Sequence, residues 1–208
     1  MAEIADAAAI ADVEVIYFDG PGRAELTRTA LRAGRVPFTD TRFSFGEWPE
    51  IKKGLPSTRF GSVPLLKHGG LLIAQSQATA LYAAELGLTP NLSSSQRAYD
   101  LMYVGWHADI QAEMYKVLFA KDEVKEATTE EFKQKAPGIL ANVEAMLPAT
   151  GFIHGAATPS LGDLAVHNAC MSPFPGVVAL GIDLEPYPKI VALNGSVTAF
   201  LDGLSESE

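Results

Sequence analysis

Residues 61–76 read Gly-Ser-Val-Pro-Leu-Leu-Lys-His-Gly-Gly-Leu-Leu-Ile-Ala-Gln-Ser. A short apolar run at 63–66 is interrupted by Pro64. A His68-Gly69-Gly70 turn signal follows, and a second apolar run occupies 71–74. Two short strands joined by a Gly-Gly turn read as a hairpin. Gln75-Ser76 then opens an Ala-rich helical stretch, with Ser76 where an N-cap belongs. Pro64 is the anomaly, because a proline inside a strand removes a ladder donor. A cis Val63–Pro64 bond resolves it by turning the Val63 main chain toward a ligand. The outcome is a site of exposed main-chain groups beside a helix N-terminus, which attracts carboxylates.

Upstream, residues 13–18 are a compact apolar run with β-branched members, a strand ended by the turn Asp19-Gly20-Pro21-Gly22. Residues 23–33 carry Ala24, Thr27, Ala30 and Leu31 at helix spacing, and Gly34 is placed to cap the C-terminus. Residues 37–43 read as an edge strand led by Pro37. Residues 47–53 read as a short helix closed by Gly54. Residues 76–86 read as a helix closed by Gly87. The order is βαβαββα with mixed pairing.

Downstream, residues 88–95 (LTPNLSSS) form a linker without periodicity, and the pattern then turns helical. Residues 96–121 place Tyr99, Met102, Tyr103, Trp106, Ile110, Met114 and Val117 at three- and four-residue steps. Thr128-x-x-Glu131 reads as a capping box before a helix at 132–147, and Ser160-x-x-Asp163 as another before 164–170. Residues 173–176 break the chain. A short helix at 177–181 and a last one at 187–204 follow, with no internal repeat. The expected organisation is an α/β domain at 13–88, an all-α domain at 95–205 and a tail at 1–12.

Bulk composition narrows the function. The 208 residues are 48% apolar, enough for a sizeable core. The net charge is −9, and no Lys/Arg cluster offsets it, so neither nucleic acid nor an anionic membrane is an expected partner. A single cysteine, Cys170, excludes an internal disulfide framework and fits a reducing compartment. No apolar run approaches the roughly 20 residues of a membrane span. The Ala-rich, acidic start lacks the positive region of a signal peptide. A cytoplasmic protein is expected.

The segment Tyr17-Phe18-Asp19-Gly20-Pro21-Gly22-Arg23-Ala24-Glu25, taken with VPLL at 63–66 and AQS at 74–76, resembles the glutathione-binding half of a glutathione S-transferase. The likeness is to the tyrosine-type cytosolic classes, sigma above all. It covers most of residues 13–205 and weakens after about residue 95. It implies a thioredoxin-like N-terminal domain, an all-helical C-terminal domain carrying the hydrophobic-substrate pocket, and a homodimer. Glutathione is then a co-substrate, with no other cofactor and no metal.

The resemblance makes Tyr17 the catalytic hydroxyl. A phenol with a pKa near 10 stays protonated and donates to a sulfur anion. Lowering a thiol pKa from about 8.5 by roughly two units takes about 2.7 kcal/mol. One fixed donor in a water-poor site is of the size to supply much of that. The thiolate then attacks an electrophile without a covalent enzyme intermediate. Without the motif, Tyr17 reads as a half-buried strand residue. Arg23 stands at a helix N-terminus, where the dipole disfavours a cation. The resemblance puts its side chain near the thiol; the bland alternative is a surface charge pairing with Glu25 or Asp19.

Trp48 and Lys52 are four apart and share a helix face. The resemblance puts both at the glycine carboxylate of glutathione; packing on the sheet and a solvated lysine are the alternatives. It also has the Val63 main chain pair with the cysteinyl unit as a short strand addition, with Pro64 holding that geometry. Gln75 and Ser76 take the γ-glutamyl end, a role compatible with an ordinary N-cap. Asp109 reaches the γ-glutamyl amino group from a neighbouring subunit, or Glu113 does, or both are solvated charges. Phe60 is a dimer contact, or an exposed hydrophobe. Phe18, Tyr103, Trp106 and His107 line the hydrophobic-substrate pocket, or pack in a core. His68, His154 and His167 lack metal-ligand spacing. Cys170 reads as a core residue, and no Cys-x-x-Cys is present.

The expected reaction is conjugation of the glutathione thiolate to small hydrophobic electrophiles. The rivals are glutathione-dependent isomerisation of a prostaglandin-type endoperoxide, peroxide reduction on the same site, and a non-catalytic, crystallin-like relative.

Overall fold

A computed structural model describes residues 12–54, 60–89 and 91–205. Of the expected tail at 1–12, residues 1–11 lie outside the described residues. The chain forms two compact units, Met1–Asn91 and Leu92–Glu208.

The first unit holds a four-stranded sheet in the order β2-β1-β3-β4, built from β1 (Glu14–Phe18), β2 (Thr39–Phe43), β3 (Leu65–His68) and β4 (Leu71–Ala74). β1 and β2 are parallel, with Tyr17 opposite Arg42. β1 and β3 are antiparallel, with Ile16 opposite Leu65, and β3 and β4 form the hairpin. Helices α1 (Glu25–Ala33), α2 (Trp48–Gly54) and α3 (Ser76–Ala83) complete the βαβαββα order. This is the thioredoxin-like arrangement.

Pro64 precedes the strand rather than interrupting it. The Val63–Pro64 bond is cis, and the paired register begins at Leu65. Residues of β1 alternate between the sheet faces. Ile16 joins Phe43 and Leu65 in a buried cluster, against which Phe18, Trp48, Ile51, Val63 and Ala74 pack. The opposite face is covered by α1 and α3, joined by a buried Thr27–Thr79 hydroxyl hydrogen bond of 2.8 Å.

Several local expectations need correction. The 23–33 helix is split: Gly22–Ala24 is a 3-10 turn and α1 starts at Glu25. Ser76 is the first residue of α3, and Gln75 occupies the cap position without a side-chain cap bond. α3 does not run regularly to residue 86; it continues as a π turn over Ala84–Leu88. Gly34 has an ordinary φ of −82°, and Arg35 takes the left-handed conformation. Gly34 is needed for close approach instead, since a Cβ there would lie 2.7 Å from the Leu88 main-chain nitrogen.

The second unit contains α4 (Ser94–Leu118), α5 (Asp122–Met146), α6 (Leu161–Met171), a 3-10 turn at Val178–Leu180, and α7 (Pro188–Ser205). No described helix is long and apolar enough to cross a membrane. The Thr128-x-x-Glu131 box does not start a helix, because α5 is already under way at Asp122. The Thr128 hydroxyl donates to the Val124 carbonyl within it. Asp122 and Glu123 give α5 an acidic first turn, favoured by the helix dipole.

The box at Ser160 and Asp163 does form. Asp163 accepts from the main-chain N–H groups of Ser160 (2.7 Å) and Ile153 (2.8 Å). The Ser160 hydroxyl donates to the buried Asp100 at 2.7 Å, and His154 Nε2 lies 2.9 Å from the same carboxylate oxygen. Burial pushes the Asp163 carboxyl above its ordinary value, opposed by these hydrogen bonds.

Candidate functional site

Tyr17 is buried at the end of β1, 8% exposed. Its phenol oxygen accepts the main-chain N–H of Arg23 at 3.1 Å. The 3-10 turn delivers that donor, and Gly22 permits the turn. Gly22 has φ +47°, and a Cβ there would stand 2.8 Å from the Tyr17 Oη and Cε1. With Oη acting as acceptor for the main chain, its own proton is left for a second partner.

The Arg23 side chain is exposed. Glu25 pairs with Arg32 (2.7 Å) and Arg28 (3.5 Å), and Asp19 with Arg42 (3.5 Å).

Trp48 opens α2 and stacks on Phe43 at 5.6 Å and 10°. Lys52, one turn later, holds Nζ 5.9 Å from the Trp48 ring centroid. The same Nζ lies 3.7 Å from where a Gly61 Cβ would be, so α2 abuts the loop that leads to Val63. Val63 and Trp48 pack on one cluster with Ala74, the residue before Gln75. Gln75 has φ +77° and ψ 121°, an unfavourable conformation for a residue with a Cβ. It holds an exposed side chain at the N-terminus of α3, next to a half-buried Ser76. Tyr17, Trp48, Lys52, Val63, Pro64, Gln75 and Ser76 thus all belong to one small unit, and the apolar cluster joins the segments bearing most of them.

Phe18 faces the α2 side, 5.6 Å from Trp48 and 5.3 Å from Tyr17. Phe45, 65% exposed, stacks on it at 4.4 Å. Phe60 is 62% exposed.

The remaining expected site residues lie in the helical unit. Tyr103 and His107 are buried in α4, at 3% and 5% exposure. Burial pushes the Tyr103 hydroxyl above its ordinary value, as do the charges of Asp163 and Asp100. Trp106 is half-buried. Asp109 is exposed. Glu113 bonds Lys116 and lies 3.6 Å from Lys135, and these partners hold its carboxyl below the ordinary value. Cys170 is fully buried, and desolvation pushes its thiol up to about 12.

Arg28 is a further buried residue beside Tyr17. Its guanidinium carbon lies 5.8 Å from the Tyr17 ring centroid. The available signal was position: 24, 27, 28 and 31 form one helical stripe, and Arg28 is the cation within it.

Residues 13–85 match the family model described as glutathione S-transferase, N-terminal domain. The chain is 31% identical over 158 residues to the glutathione S-transferase class-mu 28 kDa isozyme of Schistosoma mansoni, covering 74% of this chain and 75% of that protein. It is 31% identical over 189 residues to the hematopoietic prostaglandin D synthase of Gallus gallus, covering 89% and 90%. Among solved structures, the Fasciola hepatica sigma class GST superposes with a TM-score of 0.78 at 27% identity, covering 94% of each chain. The chain therefore belongs to the glutathione S-transferase family: it is a glutathione transferase with a thioredoxin-like N-terminal domain and a helical C-terminal domain.

Proposed function

We propose that this enzyme is of the sigma-like, tyrosine type and adds the thiolate of reduced glutathione to small hydrophobic electrophiles. The observation that carries the reading is the Tyr17 hydroxyl, buried and held as acceptor by the Arg23 N–H at 3.1 Å. A hydroxyl that accepts one hydrogen bond is polarised and becomes a stronger donor to the next group. A sulfur anion at that point receives the Tyr17 proton as a hydrogen bond. Stabilising the anion lowers the thiol pKa without transferring a proton to the enzyme.

Glutathione lies along the first unit. Ser76, its main-chain N–H and the α3 N-terminus take the α-carboxylate of the γ-glutamyl end, with Gln75 beside it. The Val63 main chain pairs with the cysteinyl unit. Trp48 and Lys52 take the glycine carboxylate through an indole N–H and an ammonium. Arg23 adds a cation near the sulfur. Phe18 contributes to the electrophile pocket. The protein acts as a cytoplasmic homodimer, with Phe60 at the contact and Asp109 offered to the neighbouring subunit.

A second reading is favoured by the Gallus gallus relative, which is named a prostaglandin D synthase. The same thiolate would catalyse isomerisation of an endoperoxide, with glutathione regenerated. The test is turnover of chlorodinitrobenzene, of a prostaglandin-type endoperoxide and of cumene hydroperoxide by the purified protein with glutathione. Conjugation as the dominant rate supports the transferase. Dominant isomerisation replaces it with the second reading. Glutathione binding without turnover of any substrate contradicts both.

A further inference from the structure

We infer that Arg28 is a positioning residue for the Tyr17 hydroxyl, acting through the turn that joins β1 to α1. This rests on the reading of Tyr17 as the thiolate donor. Arg28 is completely buried. Its Nη1 donates to the carbonyls of Gly20 (2.7 Å) and Pro21 (3.2 Å), the two residues before Gly22. Its Nε donates to Asp40 Oδ1 on β2 at 2.9 Å. Nη1 also stands 3.5 Å from Glu25 in the first turn of α1. One guanidinium therefore ties together the neighbouring strand, the turn and the start of the helix. The next main-chain donor after that turn is the Arg23 N–H on Tyr17 Oη.

The chemistry favours a geometric role over a stabilising one. A buried ion pair returns little net stability, because both charges must leave water. Nη2 is buried with no hydrogen-bond partner among the described residues, a further cost. A rigid planar fork nonetheless serves two carbonyls and a carboxylate at fixed angles, which a lysine ammonium cannot reproduce. Asp40 is itself held from its other oxygen by Arg42 Nε at 2.8 Å, so the fork is anchored to an ordered acceptor. A turn whose two carbonyls lost this donor would relax toward water. The Arg23 N–H would then leave its bond to Tyr17, and the hydroxyl would lose its aim.

The test is a double-mutant cycle of Arg28→Lys with Tyr17→Phe, measured on the full chain. The readouts are kcat, KM for glutathione, the pH profile of kcat/KM, and the ultraviolet absorption of bound glutathione thiolate. The expected result for Arg28→Lys is a kcat lower by about ten-fold. KM for glutathione stays within about two-fold, and the acid limb of the profile moves up by about one pH unit. In the Tyr17→Phe background the same change has less than about a two-fold effect, because the group it positions is gone. An unshifted profile, or an equal loss in both backgrounds, overturns the inference and leaves Arg28 as packing. If Arg28→Lys does not fold by circular dichroism, Asp40→Asn loosens the anchor while keeping the guanidinium. It is held to the same readouts. If Tyr17→Phe alone is as active as wild type, the underlying reading fails and the inference falls with it. If Tyr17→Phe loses activity and Arg28→Lys does not, only the inference falls.

Discussion

The main-chain N–H of Arg23 donates to the phenol oxygen of Tyr17 across six residues of chain, at 3.1 Å. The bond closes the turn after β1 onto the side chain that ends the strand. It gives the Tyr17 hydroxyl a fixed acceptor role and leaves its proton for another group. Four further features of the structure are open to measurement.

Gly22 is the residue most tightly fitted to that hydroxyl. Alanine there places a Cβ 2.8 Å from Oη at a φ of +47°. Gly22→Ala is expected to lose about 1–2 kcal/mol of stability from the backbone conformation. It is also expected to lower kcat by at least about ten-fold as the ring is displaced. Denaturant unfolding and steady-state kinetics check the two effects separately. A variant with unchanged kcat would show that the hydroxyl has room to move without consequence.

Ser76 and Lys52 are assigned to opposite ends of glutathione, away from the sulfur. In the proposed binding mode their contacts would be the same in the ground and transition states, so removing them should raise KM rather than lower kcat. Ser76→Ala and Lys52→Ala are each expected to raise KM for glutathione by about ten-fold, near 1.4 kcal/mol. The change in kcat should stay below about three-fold. A loss confined to kcat would remove both from the binding role.

Cys170 is a buried thiol pushed up from 9.0 to about 12. Three pH units cut the thiolate fraction by about a thousand-fold, and the thiolate is the reactive form. A small disulfide reagent should label Cys170 only after unfolding, and treated native enzyme should keep its activity. Rapid labelling of the native protein would contradict the burial.

His167 on α6 is held by Thr198 at 3.1 Å, and burial pushes its pKa below the ordinary histidine value. Protonation is therefore easier in the unfolded chain. The stability this contributes is complete above about pH 6.5 and is lost as pH falls toward the depressed folded value. Denaturation midpoints at about pH 7.5 and 5.5 should differ more for wild type than for His167→Gln. Equal differences would show that His167 titrates alike in both states.

The sheet was legible because its punctuation is chemically specific. Gly69-Gly70 sets the hairpin and Asp19-Gly20-Pro21-Gly22 ends β1, whereas Pro64, read as an interruption of the strand, stands before it. The segments that carry the proposed site were legible for the same reason, since they lie at strand ends and turns. The start of α5 was not. A Thr-x-x-Glu pattern is equally comfortable inside a helix, where Thr128 donates to Val124, and the stronger signal was the acidic pair Asp122-Glu123 at the true first turn. The left-handed position fell on Arg35 rather than Gly34, because Gly34 is reserved for contact with Leu88. Arg28 escaped because its partners are carbonyls and Asp40, brought together only by the fold. The electrophile pocket was the least legible part, because the resemblance weakens after about residue 95.

The measurement that bears most directly on the account is the rate of glutathione conjugation to chlorodinitrobenzene by wild type and by Tyr17→Phe. The variant removes one oxygen from the ring and leaves the burial of the strand end in place. If Tyr17 donates to the thiolate, the wild type is active and the variant loses about ten-fold or more, with the acid limb of its pH profile moved upward. Equal activity of the two proteins would contradict it and pass the role of donor to another group, Arg23 first.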